Sequence, residues 1–115
     1  MRKYAIAAYK KNGHLCVELM ELEIINNTAG SRFETEVAGE LAHLDYKFYR
    51  GDLVLIHTFA PPAARGKGIS SALARFALEY AIDNNLKVIV YCPFVRSYLE
   101  KHPEYRTRLS IEYRE

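Results

Sequence analysis

Residues 53–91 read LVLIHTFAPPAARGKGISSALARFALEYAIDNNLKVIVY. Residues 53–59 are apolar on both faces until His57, as in a largely buried strand. From Ile69 the period changes. Ile69, Ala72, Leu73, Phe76, Ala77, Tyr80 and Ala81 recur at i, i+3, i+4 and i+7, the spacing of one face of an α-helix. This spacing predicts a helix over 68–82, stopped by Asp83-Asn84-Asn85. Residues 86–91 are continuous and β-branched, the composition of a strand covered on both faces. Strand, helix and strand with tight connections make a right-handed crossover, so the two strands are expected to be parallel neighbours.

Working outward, the N-terminal side carries a different pattern. Leu22, Ile24 and Ile25 read as a strand, closed by the turn-rich residues 26–31. Residues 32–37 alternate, with Phe33, Thr35 and Val37 on one face, and Gly39 supplies a turn. Residues 40–49 alternate again, with Ala42, Leu44, Tyr46 and Phe48 together, and Arg50-Gly51-Asp52 turns the chain into residue 53. Short connections between successive strands predict an antiparallel meander. The first twenty residues fit either a hairpin turning at Asn12-Gly13 or a short helix ending at Gly13, with the hairpin preferred. On the far side, Pro93 suits the first turn of a second helix, which ends near His102 before Pro103. The remainder is polar, and Leu109 and Ile111 are too little to predict a strand. The fold class expected is α+β: a mixed, mostly antiparallel sheet with two main helices.

Composition sets the bounds. At 115 residues, 50% hydrophobic and 26% charged, the chain is a single globular domain. Sixteen Lys and Arg against fourteen Asp and Glu leave a formal charge of +2, with the charges mixed along the chain. This disfavours a nucleic-acid partner, which calls for a concentrated basic patch. No apolar run is long enough to span a bilayer. The start, MRKYAIAAYKK, falls short of a signal peptide, so no membrane partner and a cytoplasmic location are expected. Cys16 and Cys92 have neither the number for a disulfide scaffold nor zinc spacing. His14, His43 and His102 are scattered, and no metal is expected.

The segment joining the crossover strand to its helix, F-A-P-P-A-A-R-G-K-G-I-S over 59–70, carries the chemistry. Pro61 and Pro62 end the strand ladder. Gly66 and Gly68 allow close approach of the backbone to a ligand. The loop opens into a helix N-terminus, whose free N–H groups and positive dipole end suit phosphate, and Arg65 and Lys67 add charge. Neither the P-loop nor the dinucleotide pattern is present. The loop therefore reads either as an anion site or as a glycine-rich turn that only joins two elements.

Residues 20–105 resemble the GNAT N-acetyltransferase superfamily, and within it the minimal branch of YjdJ-type or NATD1-like short domains. The resemblance rests on an ordered set: Arg32-Phe33-Glu34, the 42–46 strand, His57-Thr58 ahead of Pro61, R-G-K-G-I-S, Cys92-Pro93-Phe94-Val95, then Tyr98-Leu99 and His102-Pro103 with Tyr105. The superfamily signature [QR]-x-x-G-x-[GA] maps onto Arg65, Gly68 and Ser70, with Ser70 where Gly or Ala is usual. The resemblance implies a GNAT-type sheet whose fourth and fifth strands, residues 53–59 and 86–91, are parallel and splay apart around acetyl-CoA. Its pyrophosphate would rest on Arg65, Gly66, Lys67, Gly68, Ile69 and Ser70, and its pantetheine arm would pair with Phe59 and Ala60. It also implies an acetyl-CoA-dependent N-acetyltransferase acting on a primary amine, on a small molecule or an exposed protein amine, by direct attack in a ternary complex. The alternative is a non-catalytic CoA-binding or protein-interaction module on the same fold. Larger members place two helices between the first two strands. Only residues 26–31 stand there in this chain, so the acceptor side is expected to be open.

Three residues are catalytic candidates by this resemblance. Cys92 precedes a helix begun by Pro93, where a thiol gains nucleophilicity. It is a covalent nucleophile, a lining residue or a small buried residue. His57 beside the thioester is a base or a strand-holding imidazole. Tyr98 is the acid that protonates the leaving thiolate or a packed helical aromatic. The expected organisation is an N-terminal extension over 1–19, the acetyltransferase domain over 20–105 and a polar tail over 106–115, as a monomer or weak homodimer.

Overall fold

The computed structural model describes the backbone of residues 2–11, 14–62 and 68–114, and the side chains of residues 23–62 and 68–114. Seven strands form one sheet in sequence order. They are β1 (Arg2–Lys11), β2 (His14–Asn27), β3 (Arg32–Val37), β4 (Glu40–Tyr49), β5 (Asp52–Phe59), β6 (Val88–Val90) and β7 (Ile111–Tyr113). Strands β1 to β5 are antiparallel, and β5–β6 and β6–β7 are parallel. The helices are α1 (Ile69–Asp83), α2 (Pro93–Lys101) and α3 (Glu104–Arg108).

The meander turns explain the strand register. Ala38-Gly39 and Arg50-Gly51 both hold positive φ at each position. That is the primed two-residue turn whose twist matches an antiparallel hairpin, and the glycine adopts it without strain. Phe33, Val37, Ala42, Leu44 and Tyr46 then share one face and are buried. The apolar stripe of α1 covers them, and Phe33 sits centrally, its ring 4.6 Å from Tyr46, 5.3 Å from Phe76 and 5.4 Å from Tyr80. Polar groups at the margin are satisfied: Tyr46 donates to Asn26 Oδ1 at 2.6 Å and the buried Thr35 hydroxyl donates to the Glu23 carbonyl at 3.0 Å.

Both parallel connections step the same way across the sheet. A common right-handed sense therefore lays the helices on one face, and the core of sheet and helix side chains lies between them. Among the described residues no helix covers the other face. There Ile25, Leu41, Ile56 and Tyr91 are 43, 44, 40 and 41% exposed.

Three expectations are refined. The strand expected at residue 22 belongs to a longer β2 that begins at His14 and pairs with β1, so the N-terminal region is a hairpin; its turn at Asn12-Gly13 lies outside the described residues. The domain start expected at residue 20 falls inside β2. The C-terminal stretch, expected as a polar tail with no strand predicted, has regular structure. It carries α3 and β7 because β6 offers β7 a free edge: Val88 donates to the Ser110 carbonyl and Arg114 to the Val90 carbonyl, both at 2.9 Å. Tyr105 and Leu109 are buried beneath this edge.

Candidate active site

The parallel seam between β5 and β6 is short. Leu53, Val54 and Leu55 pair with Val88, Ile89 and Val90. The Leu55 carbonyl then accepts from both Tyr91 N–H at 2.9 Å and Cys92 N–H at 3.2 Å. Past this point β5 runs on to Phe59, while the other chain turns away into α2 at Pro93. The strands therefore part after Leu55, leaving residues 56–59 without a backbone partner on that side among the described residues. On its other side β5 slips register by one against β4: Leu55 faces Tyr46, His57 faces Asp45, and Ile56 is the extra residue. Such a bulge switches the side-chain faces that follow it. Phe59 accordingly meets His43 on the uncovered face, with ring centroids 5.4 Å apart, while Thr58 turns toward the helices.

The chain leads from β5 into α1, which packs against both β5 and α2, the elements that border the opening. Gly68 caps this helix at φ +76°, a left-handed conformation that a side chain would strain, and its carbonyl takes the Ala72 N–H at 3.0 Å. The N–H groups of Ile69, Ser70 and Ser71 have no acceptor within the helix, and its first turn holds no acidic side chain. Gly68 is exposed and Ser70 half-buried, while Ile69 is fully buried and anchors the first turn in the core. This donor set fits a pyrophosphate. Arg65, Gly66 and Lys67 lie outside the described residues. Phe59 is exposed and Ala60 half-buried at the free end of β5.

The catalytic candidates divide into two groups. His57 and Cys92 flank the opening. His57 is exposed, and its ring makes no hydrogen bond among the described residues. Cys92 is buried, with its sulfur 3.1 Å from Thr58 Oγ1 and its carbonyl capping α2 through the Arg96 N–H. Thr58 thus closes the helix side of the opening, a role its place in the His57-Thr58 pair did not reveal. Tyr98 stands roughly 9 Å further along α2, in a separate cluster. Its ring stacks on His102 at 4.2 Å and lies 6.1 Å from Tyr105, whose hydroxyl donates to Glu79 Oε1 on α1 at 3.2 Å. Burial raises the pKa of both Tyr98 and Tyr105, so both stay protonated well past neutrality.

One polar pair went unread as a unit. His43 Nδ1 and Asp45 Oδ1 are 2.8 Å apart on the uncovered face of β4. The H-x-D spacing on an alternating strand is the signal that would have found it. The described residues hold no cluster of His, Cys, Asp and Glu suited to a metal, and no helix among them is long and apolar enough to cross a membrane.

Comparison with known proteins converges on the same architecture. The chain is 37% identical over 57 residues to Protein NATD1 of Mus musculus and of Homo sapiens, 48% of this chain in each case. It spans about half the length of these curated relatives, 52% and 50%. The solution structure of a GCN5-like protein from Staphylococcus aureus superposes with a TM-score of 0.62 at 28% identity, covering 82% of this chain and 91% of that one. The family model for GCN5-related N-acetyl-transferases matches residues 32–109, from the first residue of β3 through α3. With that match spanning most of the chain and the parted parallel strands beside a glycine-capped helix, this protein belongs to the GCN5-related N-acetyltransferase family.

Proposed function

We propose that the protein transfers an acetyl group from acetyl-CoA to a primary amine by direct attack in a ternary complex. The observation that carries this reading is the parting of β5 from β6 after Leu55, on the strand that leads into the open N-terminus of α1. In this arrangement the pyrophosphate rests on the α1 amides and the loop carrying Arg65, Gly66 and Lys67. The pantetheine arm runs along Phe59 and Ala60, and the thioester lies between His57 and Cys92. The acceptor approaches from the uncovered sheet face, where no helix among the described residues restricts its size. An amine on a small molecule and a lysine on a protein surface both fit. The base comes from the imidazoles on this face, with His57 on the strand nearest the thioester. Cys92, held by Thr58, lines the opening, and Tyr98 is the proton donor for the leaving thiolate.

The test is release of free thiol from acetyl-CoA by the purified protein, with and without a panel of primary amines and lysine peptides. Amine-dependent release is expected, and the protein's intact mass should not change with acetyl-CoA alone. A stable acetyl group on Cys92 would replace direct attack with a covalent route. Tight coenzyme A binding without turnover on any amine would make the protein a binding module instead.

A further inference from the structure

The two imidazoles beside the opening are not equivalent. Nothing among the described residues fixes the His57 ring. His43 is held: its Nδ1 lies 2.8 Å from Asp45 Oδ1, and the Phe59 ring packs beside it. An ionised carboxylate can only accept, so Nδ1 carries the proton. This leaves the Nε2 lone pair without a partner among the described residues, on a side chain that is 19% accessible. The strand register sets Asp45 opposite His57 and His43 opposite Phe59. His43 therefore stands one strand spacing, about 4.8 Å, from the part of β5 that has separated from β6.

Among the described residues, the charged surroundings of the pair are on the sheet. On β3, Glu34 stands opposite His43 and Arg32 opposite Asp45. The Glu34 carboxylate is engaged by Arg32 at 2.8 Å and by Asn27 at 3.4 Å. Lys47 follows on the same face of β4, and His57 faces Asp45 from β5. Asp45 is thus the carboxylate that orients His43.

We infer that His43, oriented by Asp45, is the base that takes the proton from the acceptor's ammonium group. The inference rests on the acetyltransferase reading above. The ammonium gives one proton to His43 Nε2, directly or through one water, and His43 passes it to solvent. The free amine nitrogen forms a bond to the acetyl carbon as the carbon–sulfur bond breaks. The second nitrogen proton is lost as the thiolate is protonated. The products are amide, free thiol and one proton. Asp45 is a positioning residue, because it acts through the imidazole.

The experiment uses the full chain, acetyl-CoA and two acceptors: a primary alkylamine, protonated at neutral pH, and aniline, which is neutral there. His43→Gln should lower kcat/KM for the alkylamine about 100-fold at neutral pH, move the rise of kcat/KM with pH upward to that set by the amine itself, and affect aniline far less. Asp45→Asn should move both readouts in the same direction by a smaller amount, since an amide no longer dictates the tautomer. His43→Phe, which keeps a ring against Phe59, should match His43→Gln, and acetyl-CoA affinity should be unchanged in all three variants. Equal losses with the two acceptors, or a pH limb that does not move, would overturn the inference while leaving the acetyltransferase reading in place. A wild-type protein that binds acetyl-CoA and acetylates neither amine would overturn both.

Discussion

The sheet has two unlike faces. On the helix-covered face Phe33, Leu44, Leu55 and Val90 are fully buried, and the ring of Phe33 is enclosed by Tyr46, Phe76 and Tyr80. On the other face apolar residues such as Leu41 and Ile56 stay partly in water, and the notable contacts are polar: Arg32 with Glu34 and His43 with Asp45. Apolar packing is concentrated on one side and ion pairing on the other. β5 serves both. Leu53 and Leu55 point into the core; one extra residue, Ile56, then reverses the alternation and turns Phe59 outward while Thr58 reaches Cys92. A single bulge thus converts a core strand into the edge of a site.

The contrast can be broken by substitution. The largest effect is expected at Phe33. Phe33→Ala should cost about 3–5 kcal/mol of unfolding free energy by urea titration; a cost below 1 kcal/mol would mean this face is not the core. Next comes Tyr105→Phe, which removes the hydroxyl bonded to Glu79 and should cost about 1 kcal/mol at neutral pH. Its pH signature has a definite sign. Burial raises Tyr98 and Tyr105 above the ordinary phenol value of 10.0. Their hydroxyls therefore ionise first in the unfolded chain, and the stability tied to them is complete below about pH 10 and falls as pH climbs beyond it. Tyr105→Phe should flatten that alkaline decline, and an identical decline in both proteins would exclude Tyr105 as its source. The smallest effect belongs to the uncovered face: Leu41→Thr should shift stability by no more than about 0.5 kcal/mol. A loss of several kcal/mol there would reveal a cover over this face.

Much of this division was legible in the sequence. The i, i+3, i+4 stripe beginning at Ile69 located α1 to within a residue at each end, because its apolar positions recur over four turns. The alternation in 32–37 and 40–49 gave β3 and β4 their bounds, and Gly39 and Gly51 marked the turns. The parallel β5–β6 pair followed from the handedness of crossovers. What escaped was structure imposed by partners. β7 has three residues, too few for a period, and forms because β6 has an unpaired edge. The bulge leaves no mark in residues 53–59, since apolar residues on both faces hide a reversal of alternation. At the start of α1, the left-handed Gly68 was legible because φ restrictions are written in residue type. The tie between His43 and Asp45 depends on a strand face, so it emerges only once the strand is assigned.

The brevity of the β5–β6 seam also bears on how the molecule assembles. Strands β3, β4 and β5 are joined by two-residue turns and close through local contacts, the kind that form fast. The three rungs between β5 and β6 must instead close a loop that spans the whole of α1, and they bear the entropic cost of that closure with little backbone bonding in return. The opening proposed to admit acetyl-CoA therefore lies along the boundary between the early-forming meander and the elements that dock on it afterwards. A ligand bridging β5 and the start of α1 would fasten that boundary, coupling occupancy of the site to the integrity of the fold.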